Sequence, residues 1–262
     1  MSGDKARGGP GSRTNRWRER TAGSLPAWLV DKVPRDHRES DEAFARRRKV
    51  VAGVSVAGAA LLGKSLSTTP GSAEFFGLTA GVASTWVVGG VASGPLHLGW
   101  MQSPDDTLKR PVLTPVALGA GAFGVFFVGA LVSKKIPPLE RAVAKILRYA
   151  EQGPKPAIYA TTLANGAAEE VFFRGALFAA LGVHKPVLKS TAVYALATTA
   201  TRNPSLVLAS AVMGALFGAQ RRASGGIQAP MLTHLTWSTL MLRFLPPLFA
   251  DSAELATPAP AS

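Results

Sequence analysis

Three charged residues stand together inside an apolar stretch in the second half of the chain. Glu169, Glu170 and Arg174 belong to the run AAEEVFFRGALFAAL. Ionisable side chains are costly in such surroundings, and within a membrane they usually mark a functional site. Glu170 and Arg174 are four residues apart, so they share a helix face and can form an ion pair. Glu169 points about 100° away from its neighbour and has no local partner.

Two interpretations are open for this segment. A desolvated carboxylate without a cationic partner, such as that of Glu169, can act as a general base near neutral pH. Alternatively, the pair of Glu170 and Arg174 is a structural ion pair that joins two helices, while Glu169 faces a water-filled cleft.

A histidine and a serine form a second pattern closer to the carboxy terminus. His234 and Ser238 lie in QAPMLTHLTWSTLML, four residues apart and therefore on one helix face. An imidazole can polarise a carbonyl group, and a hydroxyl can donate a hydrogen bond to a developing oxyanion. Taken alone, the pattern is equally typical of a core histidine that is hydrogen-bonded to a carbonyl oxygen of a neighbouring helix.

Eight apolar runs supply the helices that must position these groups. They cover residues 50–62, 75–100, 111–132, 139–149, 157–181, 187–200, 206–219 and 227–249. The second and third runs are long enough for a membrane span of about 20 residues. The run 139–149 has apolar residues on one face and charges on the other, which predicts a helix at the membrane interface. We therefore predict an all-α, polytopic transmembrane bundle of about 6–8 helices.

The composition agrees with a membrane protein. The chain has 262 residues, of which 47% are hydrophobic and 17% charged, against roughly 25% charged in an average soluble domain. Cysteine is absent, so neither disulfides nor thiolate chemistry are available. The net charge of +13 arises from cations at the amino terminus and between apolar runs. Anionic lipid and the positive-inside rule explain this distribution better than nucleic acid does.

The clusters of basic residues predict how the chain is oriented in the membrane. Residues 46–49 are all basic and directly precede the first apolar run, which predicts a cytoplasmic amino terminus. The basic segment 134–155 is also predicted to be cytoplasmic. Three apolar runs separate it from residues 46–49, however, and three membrane crossings would place the two basic clusters on opposite sides. Either the short run 50–62 does not fully cross the membrane, or the charge rule fails here. Arg221 and Arg222 are interpreted as a further interfacial anchor.

Taken together, the two motifs resemble the CPBP intramembrane protease family. This family includes the type II CAAX prenyl endopeptidases and Abi-like proteins of bacteriocin processing or immunity. The resemblance rests on EEVFFRGALF at 169–178, on GALFGAQRRASGGIQAP at 214–230, and on His234 four residues after Pro230. It covers about residues 155–245, and the order and spacing of the motifs make it specific.

The resemblance implies a role for each motif residue. Glu169 would activate the water that attacks the peptide carbonyl, and Glu170 with Arg174 would support and orient it. His234 and Ser238 would face the oxyanion, with Ser238 at a position where the family often has asparagine.

The second family motif, Phe-x-x-x-His, is altered in this chain. It aligns with residues 194–198, and Thr198 stands where the histidine is expected. Threonine keeps a hydrogen-bond donor but has no titratable ring and is a poor metal ligand. Glu169, Glu170 and His234 are then the remaining zinc ligands to consider. We therefore expect no cofactor and favour metal-free, glutamate-driven hydrolysis over a zinc site.

The sequence thus predicts a glutamic-type intramembrane endopeptidase, whose activity the substitution at Thr198 puts in question. Its substrate would be a peptide, a prenylated protein or another membrane protein, cleaved as in CAAX processing or bacteriocin processing. The protein would lie in the lipid bilayer of a bacterial plasma membrane. The predicted organisation is a disordered basic cytoplasmic tail at 1–42, transmembrane and interfacial helices at 43–154, a catalytic core at 155–249 and a disordered tail at 250–262. One alternative is a catalytically degenerate member that acts as a membrane binding or immunity protein. Another is a proton-coupled carrier, although no internal two-fold repeat is visible.

Overall fold

A computed structural model describes residues 39–103 and 107–249. Within these residues, eight α-helices of 13 or more residues form the fold, which confirms the all-α class. The helices are α1 (Asp41–Ser65), α2 (Ala73–Ser93), α3 (Leu113–Ser133), α4 (Pro137–Glu151), α5 (Lys155–Glu169), α6 (Pro186–Thr198), α7 (Pro204–Ser224) and α8 (Gln228–Phe244). Most of the first predicted tail and all of the second lie outside the described residues, and α1 begins at Asp41.

Helix starts follow from local sequence. The Ser40 side chain accepts a hydrogen bond from the Ala43 amide at the start of α1, and Ser72 caps α2 in the same way. Asn203 caps α7 by accepting from two backbone amides, and Pro204 follows it at the first helical position. These caps satisfy amides that have no partner within the helix. They fix where the helices that surround the site begin.

The site helix α5 lies in the middle of the bundle. It packs against α2 on one side and α8 on the other, while α1 pairs with α2, α3 with α8, and α6 with α7. The ring of Trp86 in α2 is fully buried and stacks on Phe172 at a centroid distance of 4.7 Å. Gly214 and Gly218 let α7 approach α6, because a Cβ at either position would lie 3.1 Å from an α6 side chain.

The predicted single helix at 157–181 is interrupted by a change of helix type. After α5 the chain continues as a π-helix over Glu170–Leu177 and returns to α-helix for Phe178–Ala180. Short π-helical segments are rare and are frequently found at functional sites. Glu170 and Arg174 both lie in this segment, whereas Glu169 is the last residue of α5.

Two loops meet at the start of α8. The amides of Ile227 and Gln228 donate to the carbonyl oxygens of His97 and Leu98. Gly99 has a φ of 87° and lies against Gly226, where a Cβ on either residue would collide with backbone atoms of the other loop. Glycine is therefore required at this crossing, which anchors the helix that carries His234. A two-stranded antiparallel pair, β1 (Met101–Gln102) with β2 (Leu108–Lys109), follows and was not expected from the sequence.

Two helices among the described residues are long and apolar enough to cross a membrane. They are α2 and α3, with mean hydropathies of 1.5 and 2.1. Most of α3 is exposed, including Val125 and Val128 at 70% and 60%. Exposed valines of this kind suit contact with lipid chains better than contact with water. The run 50–62 lies in α1, which is not one of these two helices, and the wider polytopic arrangement stays a prediction.

Candidate functional site

The carboxylate of Glu169 is held by a tyrosine from another helix. Glu169 is half-buried at the end of α5, and its Oε2 accepts a hydrogen bond of 2.5 Å from the Tyr194 hydroxyl of α6. Tyr194 is buried beneath the site, with its ring 4.7 Å from that of Phe173. In the sequence, Tyr194 aligns with the phenylalanine of the second family motif, and its contact with Glu169 was not predicted.

Glu170 and Arg174 form the ion pair that their spacing predicts. Arg174 Nη1 lies 3.3 Å from Glu170 Oε1, and both side chains are fully buried. The same Oε1 lies 3.0 Å from Nδ1 of His234. Glu170 therefore contacts His234 in addition to Arg174, while Tyr194 is the hydrogen-bond partner of Glu169. A carboxylate that orients a histidine ring in this way fixes which ring nitrogen faces the site.

The imidazole of His234 has a defined orientation. Its Nδ1 faces Glu170, and its ring stacks on Phe217 with centroids 4.7 Å apart. On the other side, a Cβ added to Gly166 of α5 would lie 3.4 Å from Nε2. Glycine at this position leaves room beside the nitrogen, three residues before Glu169 on the same helix.

Arg174 is enclosed by aromatic rings and by a second arginine. Its guanidinium lies 4.6 Å from the ring centroid of Tyr194 and 5.0 Å from that of Phe217. Arg221 is buried, and its Nε donates a hydrogen bond of 2.7 Å to the Arg174 carbonyl oxygen within the π-helical segment. The interpretation of Arg221 as an interfacial anchor is therefore wrong, whereas Arg222 is exposed at the end of α7.

Thr198 and Ser238 complete the set of predicted residues. Both are buried and line the same cavity as Glu169 and His234. The Thr198 hydroxyl donates 2.8 Å to the carbonyl oxygen of Tyr194, one turn earlier in α6. Its proton is thus directed at its own helix, and the oxygen remains as an acceptor.

The cavity that these residues share has a volume of about 320 Å³. It is lined by side chains of α1, α2, α4, α5, α6, α7 and α8. Glu169, Tyr194, Thr198, His234 and Ser238 all reach it, whereas Glu170 and Arg174 lie behind its wall. The cavity therefore places an acid, an imidazole and hydroxyl groups around a space large enough for water and part of a peptide.

The residues around the cavity do not assemble a conventional metal site. No three His, Asp or Glu side chains come together as possible metal ligands within residues 39–103 and 107–249. His97 lies in the loop against Ile227, His184 is exposed in the turn before α6, and neither lines the cavity. Catalytic zinc usually takes three protein ligands, and Glu170 is already engaged by Arg174 and His234.

Comparison with known proteins identifies the segment that contains the whole site. The family model described as type II CAAX prenyl endopeptidase Rce1-like matches residues 152–240. This range includes all six residues singled out from the sequence, as well as Tyr194 and Arg221. No curated protein and no solved structure matches the chain. The family consists of membrane proteases, which agrees with the two long apolar helices. Residues 152–240 of the chain thus match the model of the type II CAAX prenyl endopeptidase Rce1-like family, which confirms the resemblance inferred from the sequence motifs.

Proposed function

We propose that this protein is an intramembrane endopeptidase in which the Glu169 carboxylate activates a water molecule. The supporting observation is the cavity that Glu169 shares with His234, Thr198 and Ser238. Glu169 takes a proton from the water, whose oxygen attacks the carbonyl carbon of the scissile peptide bond. The carboxylic acid then returns this proton to the departing amine nitrogen, so the base of the first step is the acid of the second.

The buried ion pair behind the cavity orients His234. Glu170 pairs with Arg174 and its Oε1 lies 3.0 Å from Nδ1 of His234, so the ring is held with Nε2 beside Gly166. The imidazole and the Ser238 hydroxyl then stabilise the oxyanion of the tetrahedral intermediate. In this proposal Glu170 and Arg174 orient His234, whereas the resemblance implied that they support and orient Glu169.

A cleavage assay with matched variants tests this proposal. The full chain is reconstituted in lipid vesicles with membrane-anchored peptides, including prenylated ones, and products are identified by mass spectrometry. Glu169→Gln is expected to lower the rate to background, because glutamine cannot accept the proton of the water. Glu74→Gln alters an exposed carboxylate of α2 and is expected to leave the rate unchanged. Equal cleavage by wild type and Glu169→Gln would refute the proposal.

One observation favours a second function, that of a non-catalytic membrane binding or immunity protein. Thr198 replaces the motif histidine, and its hydroxyl proton is committed to the backbone. In that case wild type shows no cleavage, and Glu169→Gln leaves the cellular phenotype unchanged. Activity that appears only in Thr198→His would also favour this function, whereas cleavage by wild type excludes it.

A further inference from the structure

Helices α1 and α2 run antiparallel, and their directions place the first basic cluster. Lys64, near the end of α1, lies 3.8 Å from the Glu74 carboxylate at the start of α2. Arg47, near the start of α1, donates a hydrogen bond of 3.1 Å to the Ser93 hydroxyl at the end of α2. The basic residues 46–49 therefore lie at the end of the bundle where α2 ends.

The second basic cluster lies at the opposite end of the bundle. It is the segment 134–155, which contains α4, and the Tyr149 hydroxyl of this helix donates 2.8 Å to the carbonyl oxygen of Leu66, directly after α1. The positive-inside rule places basic segments on one side of a membrane. It accounts for only one of two clusters at opposite ends, so the other requires a different explanation.

The cations of α4 form a ridge along one side of the helix. Arg141, Lys145 and Arg148 are separated by four and three residues, so at about 100° per residue they fall within an arc of about 60°. Ile146 and Ala150, on the other side of α4, line the end of the cavity. The helix thus separates the cavity from a cationic ridge that consists of Arg141, Lys145 and Arg148.

The cationic ridge is open to a ligand. Arg141 and Lys145 are exposed, and neither forms an ion pair with a carboxylate among the residues that the structure describes. The cluster 46–49 differs, because four consecutive residues point to all sides of a helix. One of the four, Arg47, is fully buried and paired with Glu39. Of the two basic clusters, the one on α4 therefore presents a single charged surface.

The helix that precedes α4 indicates the partner. This helix, α3, is long and apolar enough to cross a membrane; it ends at Ser133, and α4 begins at Pro137. A helix that follows a span so closely lies near the headgroups of the adjoining leaflet, and a polar face rich in lysine and arginine is typical of helices at this interface. Anionic headgroups of that leaflet are concentrated beside the ridge and attract its cations.

We infer that the cationic ridge binds the headgroups of anionic phospholipids, and that this contact places the α4 end of the cavity at the headgroup layer. Ile146 and Ala150 then separate the cavity from the headgroups by the width of one helix. The inference goes beyond the proposed peptidase function and is independent of it, because binding of lipid to the ridge requires none of the residues that line the cavity.

A fluorophore beside the cationic ridge tests the inference directly. Gln152 is exposed four residues after Arg148, and the chain contains no cysteine, so Gln152→Cys can be labelled selectively with bimane. The full chain is reconstituted in phosphatidylcholine vesicles that contain a small fraction of phosphatidylglycerol or phosphatidylcholine with a spin label near the headgroup end of one acyl chain. Spin-labelled phosphatidylglycerol is expected to quench the fluorophore more strongly at equal mole fraction, and added salt should reduce the difference by screening. Equal quenching by both lipids overturns the inference, and so does quenching by neither, because the ridge then does not face the bilayer.

Charge-matched double variants assign the lipid preference to the ridge. Arg141→Gln combined with Lys145→Gln should lower the ratio of the phosphatidylglycerol and phosphatidylcholine association constants about 5- to 25-fold, since one cation near the surface corresponds to about fivefold. Arg48→Gln combined with Lys49→Gln removes the same charges at the other end of the bundle and should leave the ratio unchanged. All four side chains are exposed, so neither pair should alter the fold. An unchanged ratio in the first pair, or an equal loss in the second, overturns the assignment.

These outcomes are distinct from those of the cleavage assay. If the preference for phosphatidylglycerol is lost only with the cations of the ridge, while wild type and Glu169→Gln cleave equally, the lipid surface stands and the peptidase proposal fails. If wild type cleaves but the fluorophore does not distinguish the two lipids, the peptidase stands and the lipid surface fails.

Discussion

Removing the hydroxyl of Tyr194 should show whether this residue positions the Glu169 carboxylate for catalysis or only stabilises the fold. In Tyr194→Phe the ring keeps its neighbours, Phe173 at 4.7 Å and the Arg174 guanidinium at 4.6 Å. Only the 2.5 Å hydrogen bond to Glu169 Oε2 is lost. The half-buried carboxylate then keeps contact with the cavity but is no longer held in one orientation. We expect the free energy of unfolding to fall by no more than about 3 kcal/mol, the upper value for one hydrogen bond to a charged group.

The same hydrogen bond should also affect catalysis. A hydrogen bond to a charged group contributes about 1.5–3 kcal/mol. If the full amount serves to hold Glu169 against the attacking water, kcat falls about 10- to 150-fold, since about 1.36 kcal/mol corresponds to a factor of ten. KM should stay close to the wild-type value, because the hydroxyl contacts Glu169 and the expected loss arises in the transition state.

The assay is steady-state cleavage in vesicles, with kcat and KM determined separately. Tyr159→Phe is the matched control, because Tyr159 lies on α5, is half-buried and does not line the cavity. An undiminished kcat in Tyr194→Phe, or an equal loss in Tyr159→Phe, would refute the positioning role. A loss confined to KM would indicate that the hydroxyl binds substrate instead.

Three further predictions follow from the buried charges and the cavity. Arg174→Met should lower the free energy of unfolding, measured by denaturant titration, by about 3–5 kcal/mol, because it leaves the buried Glu170 carboxylate without its guanidinium partner. Combining it with Glu170→Gln should recover part of this loss, and an additive loss in the double variant would contradict the coupling of the two residues. Metal chelators should leave cleavage by wild type unchanged, and inactivation that zinc reverses would contradict the metal-free proposal. Gly166→Val should abolish cleavage, because the added side chain fills the space beside His234 Nε2. Gly121→Val should not, since an added Cβ there meets no atom within 4 Å, and full activity in Gly166→Val would show that the space is not used.

Local spacing explains which parts of the site could be predicted. Glu170 and Arg174 are four residues apart on one chain segment, so their pairing follows from helix geometry and is found at 3.3 Å. The contact of Tyr194 with Glu169 joins residues 25 positions apart on different helices. No periodicity in the sequence encodes that approach, and the alignment of Tyr194 with a phenylalanine directed attention to Thr198 instead.

The errors have a common physical origin in tertiary packing. Arg221 follows an apolar run and precedes a glycine-rich turn, a pattern that fits an interfacial cation as well as a buried one. Its buried position depends on the Arg174 carbonyl oxygen of the π-helical segment and on the ring of Phe178, 5.2 Å away in the α-helical turn that follows this segment. The π-helix itself was not predicted, because its sequence EVFFRGAL has no feature that distinguishes it from an α-helix.

The all-α class could be predicted because apolar run length and charge distribution are properties of the chain alone. The runs at 75–100 and 111–132 overlap most of the two helices that are long and apolar enough to span a membrane, although the first helix ends at Ser93 and the chain then turns at Gly94. The loop after it crosses the start of α8 through Gly99 and Gly226. This crossing depends on a contact between distant segments, which the apolar pattern cannot specify.

The central claim is that Glu169 and His234 face one another across a single water-accessible cavity. The chain contains no cysteine, so cysteines can be introduced in pairs without background. Glu169→Cys combined with His234→Cys should crosslink with a short bifunctional thiol reagent in native membranes, and each single variant should react with a water-soluble thiol reagent. Glu169→Cys combined with Val125→Cys, the latter exposed on α3, should not crosslink. Failure of the first pair to crosslink, with both single cysteines unreactive towards the water-soluble reagent, would contradict the proposed site.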